Sequence, residues 1–209
     1  MSTALIADGV ALLFAIAAFV WQSCRALSDS APPTAHHRHR IARKAWLEAT
    51  AGGTRDVLAV QTLRNWIMSV TFLASTSILF ALGLLAAAFT NDKLSTFAQG
   101  INLFGNDSGE LWLFKALLLV TVFLVAFFAF SLSIRAFVHL GFMINVPIPA
   151  EDKEAQARIL AREMEKGAFN YWLGLRCYYA AALLTFWLFG PLWMAIGTVV
   201  LLIALRRID

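Results

Sequence analysis

Charge is scarce in this sequence. Only 14% of its 209 residues are Asp, Glu, Lys or Arg and 60% are apolar, whereas a water-soluble domain carries about 25% charged and 45–50% apolar residues. The deficit excludes water as the solvent for most of the chain. Cysteine is rare as well: Cys24 and Cys177 offer no disulfide framework. Of the four histidines, His36, His37 and His39 share one tract, so a haem or di-metal centre inside a helical bundle would lack ligands. A Walker loop, a dinucleotide fingerprint, an HExxH pair, an EF-hand loop and a nucleophile elbow are all missing. These absences point away from an enzyme and imply no cofactor.

What is present is apolar sequence in four long stretches: Ala4 to Trp21, Trp66 to Phe89, Leu111 to Ser133, and Cys177 to Leu205. Each approaches or exceeds the roughly 20 residues that cross a ~30 Å hydrocarbon layer. Backbone in lipid must satisfy its own hydrogen bonds, and the runs lack the in-out alternation of a membrane barrel, so each is expected to be helical. The first stretch reads as a retained helix, since no Lys or Arg precedes it and Trp21-Gln22-Ser23-Cys24 is a poor processing site. The expectation is an all-α fold: one membrane domain over residues 1–209, an integral membrane four-helix bundle with additional cytoplasmic or interfacial helices in connections 22–65 and 134–176.

Charge sets the orientation. Seven basic residues (Arg25, Arg38, Arg40, Arg43, Lys44, Arg55, Arg64) lie between the first two spans and six (Arg135, Lys153, Arg158, Arg162, Lys166, Arg176) around the third connection. The positive-inside rule places both connections in the cytoplasm and both termini outside. Both cysteines then sit on the reducing side as free thiols. Arg206-Arg207 runs against this assignment. A hairpin at Gly190-Pro191 would relieve the conflict, but arms of 13 to 15 residues span only ~20 Å. One tilted helix bent at Pro191 is the simpler expectation, with Trp187 and Trp193 packing beside the bend.

Several polar residues carry candidate roles. Gln61, Asn65, Ser69 and Thr76 share one face of the second span, with Arg64 on an adjacent one. Such a stripe suits either a water-lined path or ordinary interhelical hydrogen bonding. Arg135 and His139 project from one face at the inner end of the third span, and Arg176 opens the fourth. They are candidates for an inner-boundary anchor or an anionic-lipid contact, or simply mark the membrane edge. At the outer side Asp8 either pairs with Lys115 or caps the first helix at head-group level. His36, His37 and His39 could ligate a metal, but no Cys, Asp or Glu stands near to complete a site, and a mobile basic loop after Pro32-Pro33 explains them. A helix with acids in its first turn, Glu151-Asp152-Lys153-Glu154, should run to Lys166 and end at Gly167. Asn106-Asp107-Ser108 matches a glycosylation acceptor too short to carry weight.

The runs Val60-Gln61-Thr62-Leu63-Arg64-Asn65, Thr71-Phe72-Leu73-Ala74-Ser75-Thr76 with Met68, Ser133-Ile134-Arg135 with His139, Gly174-Leu175-Arg176 with Tyr178-Tyr179, and Trp187-Leu188-Phe189-Gly190-Pro191 resemble the uncharacterised bacterial membrane-protein family known as domain of unknown function 599. The resemblance spans nearly the whole chain and implies no activity.

Three functions are therefore open. The first is a non-enzymatic membrane protein acting by association, as a homo-oligomer or an accessory subunit of a larger membrane complex, helped by small faces such as Gly83 with Ala87. The second is a small transporter or channel along the second-span stripe. The third is an anionic-lipid-binding protein using the basic inner surface. Nucleic acid is not an expected partner, because the basic residues flank spans and form no recognition motif.

Overall fold

The computed structural model describes residues 3–27, 35–51, 57–90, 96, 100–102, 105, 108–144, 146 and 153–208. Pro32-Pro33, Gly52-Gly53, Asp56, Asn106-Asp107 and Glu151-Asp152 lie outside the described residues, as do the side chains of His36 and Arg207. Among those described, the chain forms helices α1 (Thr3–Leu27), α2 (Ala35–Ala51), α3 (Val57–Thr90), α4 (Gly109–Met143), α5 (Lys153–Leu188) and α6 (Pro191–Ile208). α1, α3 and α4 are long and apolar enough to cross a bilayer, and α6 is a shorter apolar helix over Pro191–Arg206. The chain is an all-α membrane protein.

The helix limits have local causes. Trp112 N donates to Ser108 O at 3.1 Å as the first bond of α4, and Glu110 occupies its first turn, where an acid meets the positive end of the dipole. The hydroxyls of α3 fold back onto their own helix: Thr62, Ser69 and Thr71 each donate to the carbonyl four residues earlier. That satisfies side chains which would otherwise compete with the backbone.

Two expectations about the connections need correction. The histidine tract, expected as a loop, lies inside α2, where His37 Nδ1 meets the Arg40 guanidinium at 3.3 Å. α5 does not stop at Gly167 but continues for 36 residues to Leu188. Glycine in a helix interior costs up to ~1 kcal/mol relative to alanine, and here close packing offsets it. A Cβ on Gly167 would fall 2.5 Å from Phe137 Cε1, and one on Gly174 would fall 2.5 Å from Phe130 Cε1. Two helical turns apart, the glycines seat two fully buried rings of α4.

The fourth apolar stretch departs furthest from expectation. Instead of one bent helix it is two helices separated at Phe189-Gly190. Phe189 N and Gly190 N donate to the carbonyls of Phe186 and Trp187 at 3.1 Å each, tightening the last turn of α5. Gly190 has φ 124°, a conformation open to glycine, and Pro191 starts α6 where a missing N–H costs nothing. The chain then reverses. Phe186 and Gly197 would stand ~16 Å apart on a continuous helix, yet a Cβ on Gly197 would lie 2.6 Å from Phe186 Cδ2.

The chain divides into two compact units: Met1–Ser28, Ser77–Val125 and Arg176–Asp209 form one, and Asp29–Thr76 with Ala126–Leu175 the other. In the first unit α6 lies beside α1 in the same direction, with Pro191 and Ala195 near Thr3 and Ala7 at one end and Arg206 over Trp21 at the other. α5 runs opposite to both, and its Leu183 and Leu184 join Ala11 and Ala15 of α1, Leu119 of α4 and Met194 of α6 in the core. In the second unit Trp66 of α3 stacks on Phe137 at a 4.7 Å centroid distance and meets Tyr171 edge-on at 6.4 Å. Arg43 of α2 reaches Glu165 of α5 at 3.4 Å.

Candidate functional site

Asp8 lies in the second turn of α1, past any capping position, and Lys115 in the second turn of α4. Parallel packing of these helices brings the side chains together, with Lys115 Nζ donating to Asp8 Oδ1 at 2.6 Å. Both side chains are less than 5% exposed. A third residue, which sequence reasoning assigned only to packing, completes the arrangement. Trp187, one residue before the end of α5, donates its indole N–H to the same Asp8 oxygen at 2.8 Å, and its ring lies beneath the Lys115 ammonium at 4.8 Å.

The geometry makes physical sense of a cluster that would be expensive if incomplete. An ionised carboxylate in an apolar core needs a counter-charge and hydrogen bonds. Asp8 receives both from two different helices, and the ammonium gains the negative face of an indole in addition. No metal is needed to hold the charges, and no group of three His, Cys, Asp or Glu side chains is arranged to bind one among the described residues. Charge neutralisation ties α1, α4 and α5 at a single point.

The remaining candidates do not gather into one site. Gln61, Arg64, Asn65 and Ser69 are exposed on α3, whose buried face carries Ala59, Leu63, Val70 and Ala74 instead. Thr76 is half-buried and donates to the carbonyls of Phe72 and Leu73. The stripe thus points away from the chain's own packing. Arg135 and His139 are likewise exposed on α4, whereas Arg176 is buried on α5, its guanidinium 6.0 Å from the Tyr179 ring. His37 and His39 sit on α2, and Gly83 meets nothing within 4 Å of a built Cβ. Cys24 and Cys177 are free.

Sequence reasoning also missed polar and cation–ring contacts within the first unit. Ser77 Oγ donates to Tyr178 Oη at 2.9 Å, joining α3 to α5, and the Trp21 ring meets two guanidinium groups, those of Arg25 at 5.7 Å and Arg206 at 5.4 Å. The first had no signal beyond a Ser in an apolar helix. The second was hidden by the single-helix reading of the C-terminal stretch, which put Arg206 at the opposite end from Arg25.

Both clefts described in the first unit are apolar. One lies between α1 and α6 beside Ile6, Val10 and Phe14. The other, about 230 Å³, is enclosed by Phe19, Val122, Leu183 and Met194 among others. A family profile described as "Protein of unknown function, DUF599" matches residues 6–209. No curated protein and no solved structure matches the chain.

Proposed function

We propose, on the premise that the chain belongs to the DUF599 family of proteins of unknown function, that it is a non-enzymatic integral membrane protein that works by association, pairing with a second copy of itself along the polar face of α3. The observation that carries this reading is the outward position of Gln61, Asn65 and Ser69, spaced one turn apart on an exposed helix face. Carboxamides facing hydrocarbon or the head-group boundary gain by meeting one another across a helix pair. A two-fold axis along the membrane normal sets each Asn65 opposite its equivalent, the arrangement by which a single buried Asn fixes register in paired helices. Such a pair could equally seat in a larger membrane complex.

A polar conduit within one chain is less well supported, because the stripe is external and the described clefts are apolar. The test is the oligomeric state of the full chain in nanodiscs, counted by single-molecule photobleaching. Asn65→Leu together with Gln61→Leu should shift dimers to monomers. A wild-type monomer at all protein-to-lipid ratios would end the proposal, and a solute flux abolished by the same substitutions would replace it with transport.

The same reading includes a topology. α6 contains 18 residues, ~27 Å of helix, enough for a ~30 Å hydrocarbon layer with slight mismatch. With α5 and α6 both crossing, the chain passes the membrane five times, its N terminus outside and its C terminus in the cytoplasm. Arg25 and Arg206, which meet at Trp21, are then on the inner side together, and the conflict between Arg206 and the positive-inside rule disappears.

A further inference from the structure

α1 and α6 are parallel neighbours, and each carries an arginine near its C-terminal end. The negative end of a helix dipole explains why a cation is favourable there. It does not explain why two cations from different helices converge on one ring. Arg25 and Arg206 lie 5.7 and 5.4 Å from the centroid of Trp21, which is half-exposed. Two like charges gathered at one ring repel unless they share an anion, and guanidinium forks suit the oxygens of a phosphate.

From the ring the seam between the two helices continues as apolar surface. Trp21, Phe14, Val10 and Ala7 recur at the three-, four- and seven-residue spacings that keep one face of a helix turned to a neighbour. The last three line a groove of about 550 Å³ whose opposite wall includes Pro191 and Ala195. An acyl chain rooted at Trp21 and crossing one leaflet, ~15 Å of hydrocarbon, ends near Val10, since 11 residues of helix rise about 16 Å.

We infer that Arg25, Trp21 and Arg206 form a binding site for the phosphate of an anionic phospholipid, with an acyl chain laid along the α1–α6 seam and its end in the groove at Phe14 and Val10. Charge complementarity selects the head group, and the apolar seam makes a lipid the occupant. On the proposed topology the lipid belongs to the cytoplasmic leaflet, but the test does not depend on that topology, because a nanodisc presents the same lipids on both faces.

The full chain is reconstituted in nanodiscs of phosphatidylcholine and phosphatidylglycerol in equal amounts, and the lipids it retains on release are identified by native mass spectrometry. Phosphatidylglycerol should be retained over phosphatidylcholine by about 5-fold for each guanidinium engaged and about 30-fold for the pair. The preference should vanish in R25Q/R206Q, survive in R25K/R206K, and survive in R158Q, which removes an exposed cation paired with Glu154. Equal retention of the two lipids by the wild type, or an undiminished preference in R25Q/R206Q, overturns the site. Should R25Q/R206Q fail to fold, the wild type decides in the presence of millimolar inorganic phosphate. A preference that survives supports the lipid; one erased by phosphate marks a free-anion site and overturns it.

Discussion

Removing either charge of the Asp8–Lys115 pair should be far more damaging than removing both. The aspartate is 2% exposed and the lysine 3%, with Trp187 bonded to the same oxygen. Lys115→Met leaves a buried carboxylate without its cation, and Asp8→Asn leaves a buried ammonium beside a neutral amide. Breaking a buried pair from one side costs about 3–5 kcal/mol, whereas replacing both charges with groups of similar shape is often neutral or stabilising by about 1–4 kcal/mol. The carboxamide that Asp8→Asn introduces can still accept from the Trp187 indole, and methionine roughly fills the lysine volume. The double variant should therefore fall within about 1 kcal/mol of wild type or above it, which makes the coupling between the substitutions several kcal/mol. The assay is reversible unfolding of the purified chain by titration from mild detergent into SDS, followed by near-UV circular dichroism, for wild type, both single variants and the double. If both single variants unfold at the wild-type midpoint, or if the double variant loses the sum of the two, the pair is not a buried charge-neutralised contact.

Other consequences follow from packing and direction. Gly174→Ala should destabilise by about 1–3 kcal/mol in the same titration, since its Cβ meets the Phe130 ring, while Gly83→Ala, with open space around it, should be neutral or stabilising by up to ~1 kcal/mol; equal effects would contradict the helix contacts. Tyr178→Phe should cost about 1 kcal/mol through loss of the Ser77 hydrogen bond, and the double variant with Ser77→Ala should lose less than the sum of the two single variants. A reporter fused after Asp209 should be active in the cytoplasm and one inserted near Gly100 outside; external activity at Asp209 would restore a four-crossing chain.

The pair at Asp8 and Lys115 depends on α1 lying parallel to α4, and the pair at Arg25 and Arg206 on α1 lying parallel to α6, at opposite ends of α1. One is sealed by Trp187 and is structural in character. The other is open at Trp21, which is half-exposed.

Membrane character and helical class were legible because they depend on composition summed over long windows: few charges, no alternation, and three apolar runs that need no partner to be recognised. The start of α3 in polar sequence and its unbroken passage into apolar sequence were legible for the same reason, since nothing between Val57 and Thr90 interrupts a helix. Asp8 and Lys115 could be named as possible partners because charges are rare at that depth. Their distance and the part played by Trp187 could not, because an indole that packs and an indole that donates to a carboxylate have the same sequence signature. The course of the chain at Gly190 was also beyond the sequence. Gly-Pro permits a bend or a reversal equally well, and Arg176 and Asn170 dilute the apolar content of α5 so that its membrane arm looks too short. Only tertiary packing, with Phe186 beside Gly197 and Arg206 over Trp21, selected the reversal, because a local dihedral preference cannot say which distant surface the next helix will meet.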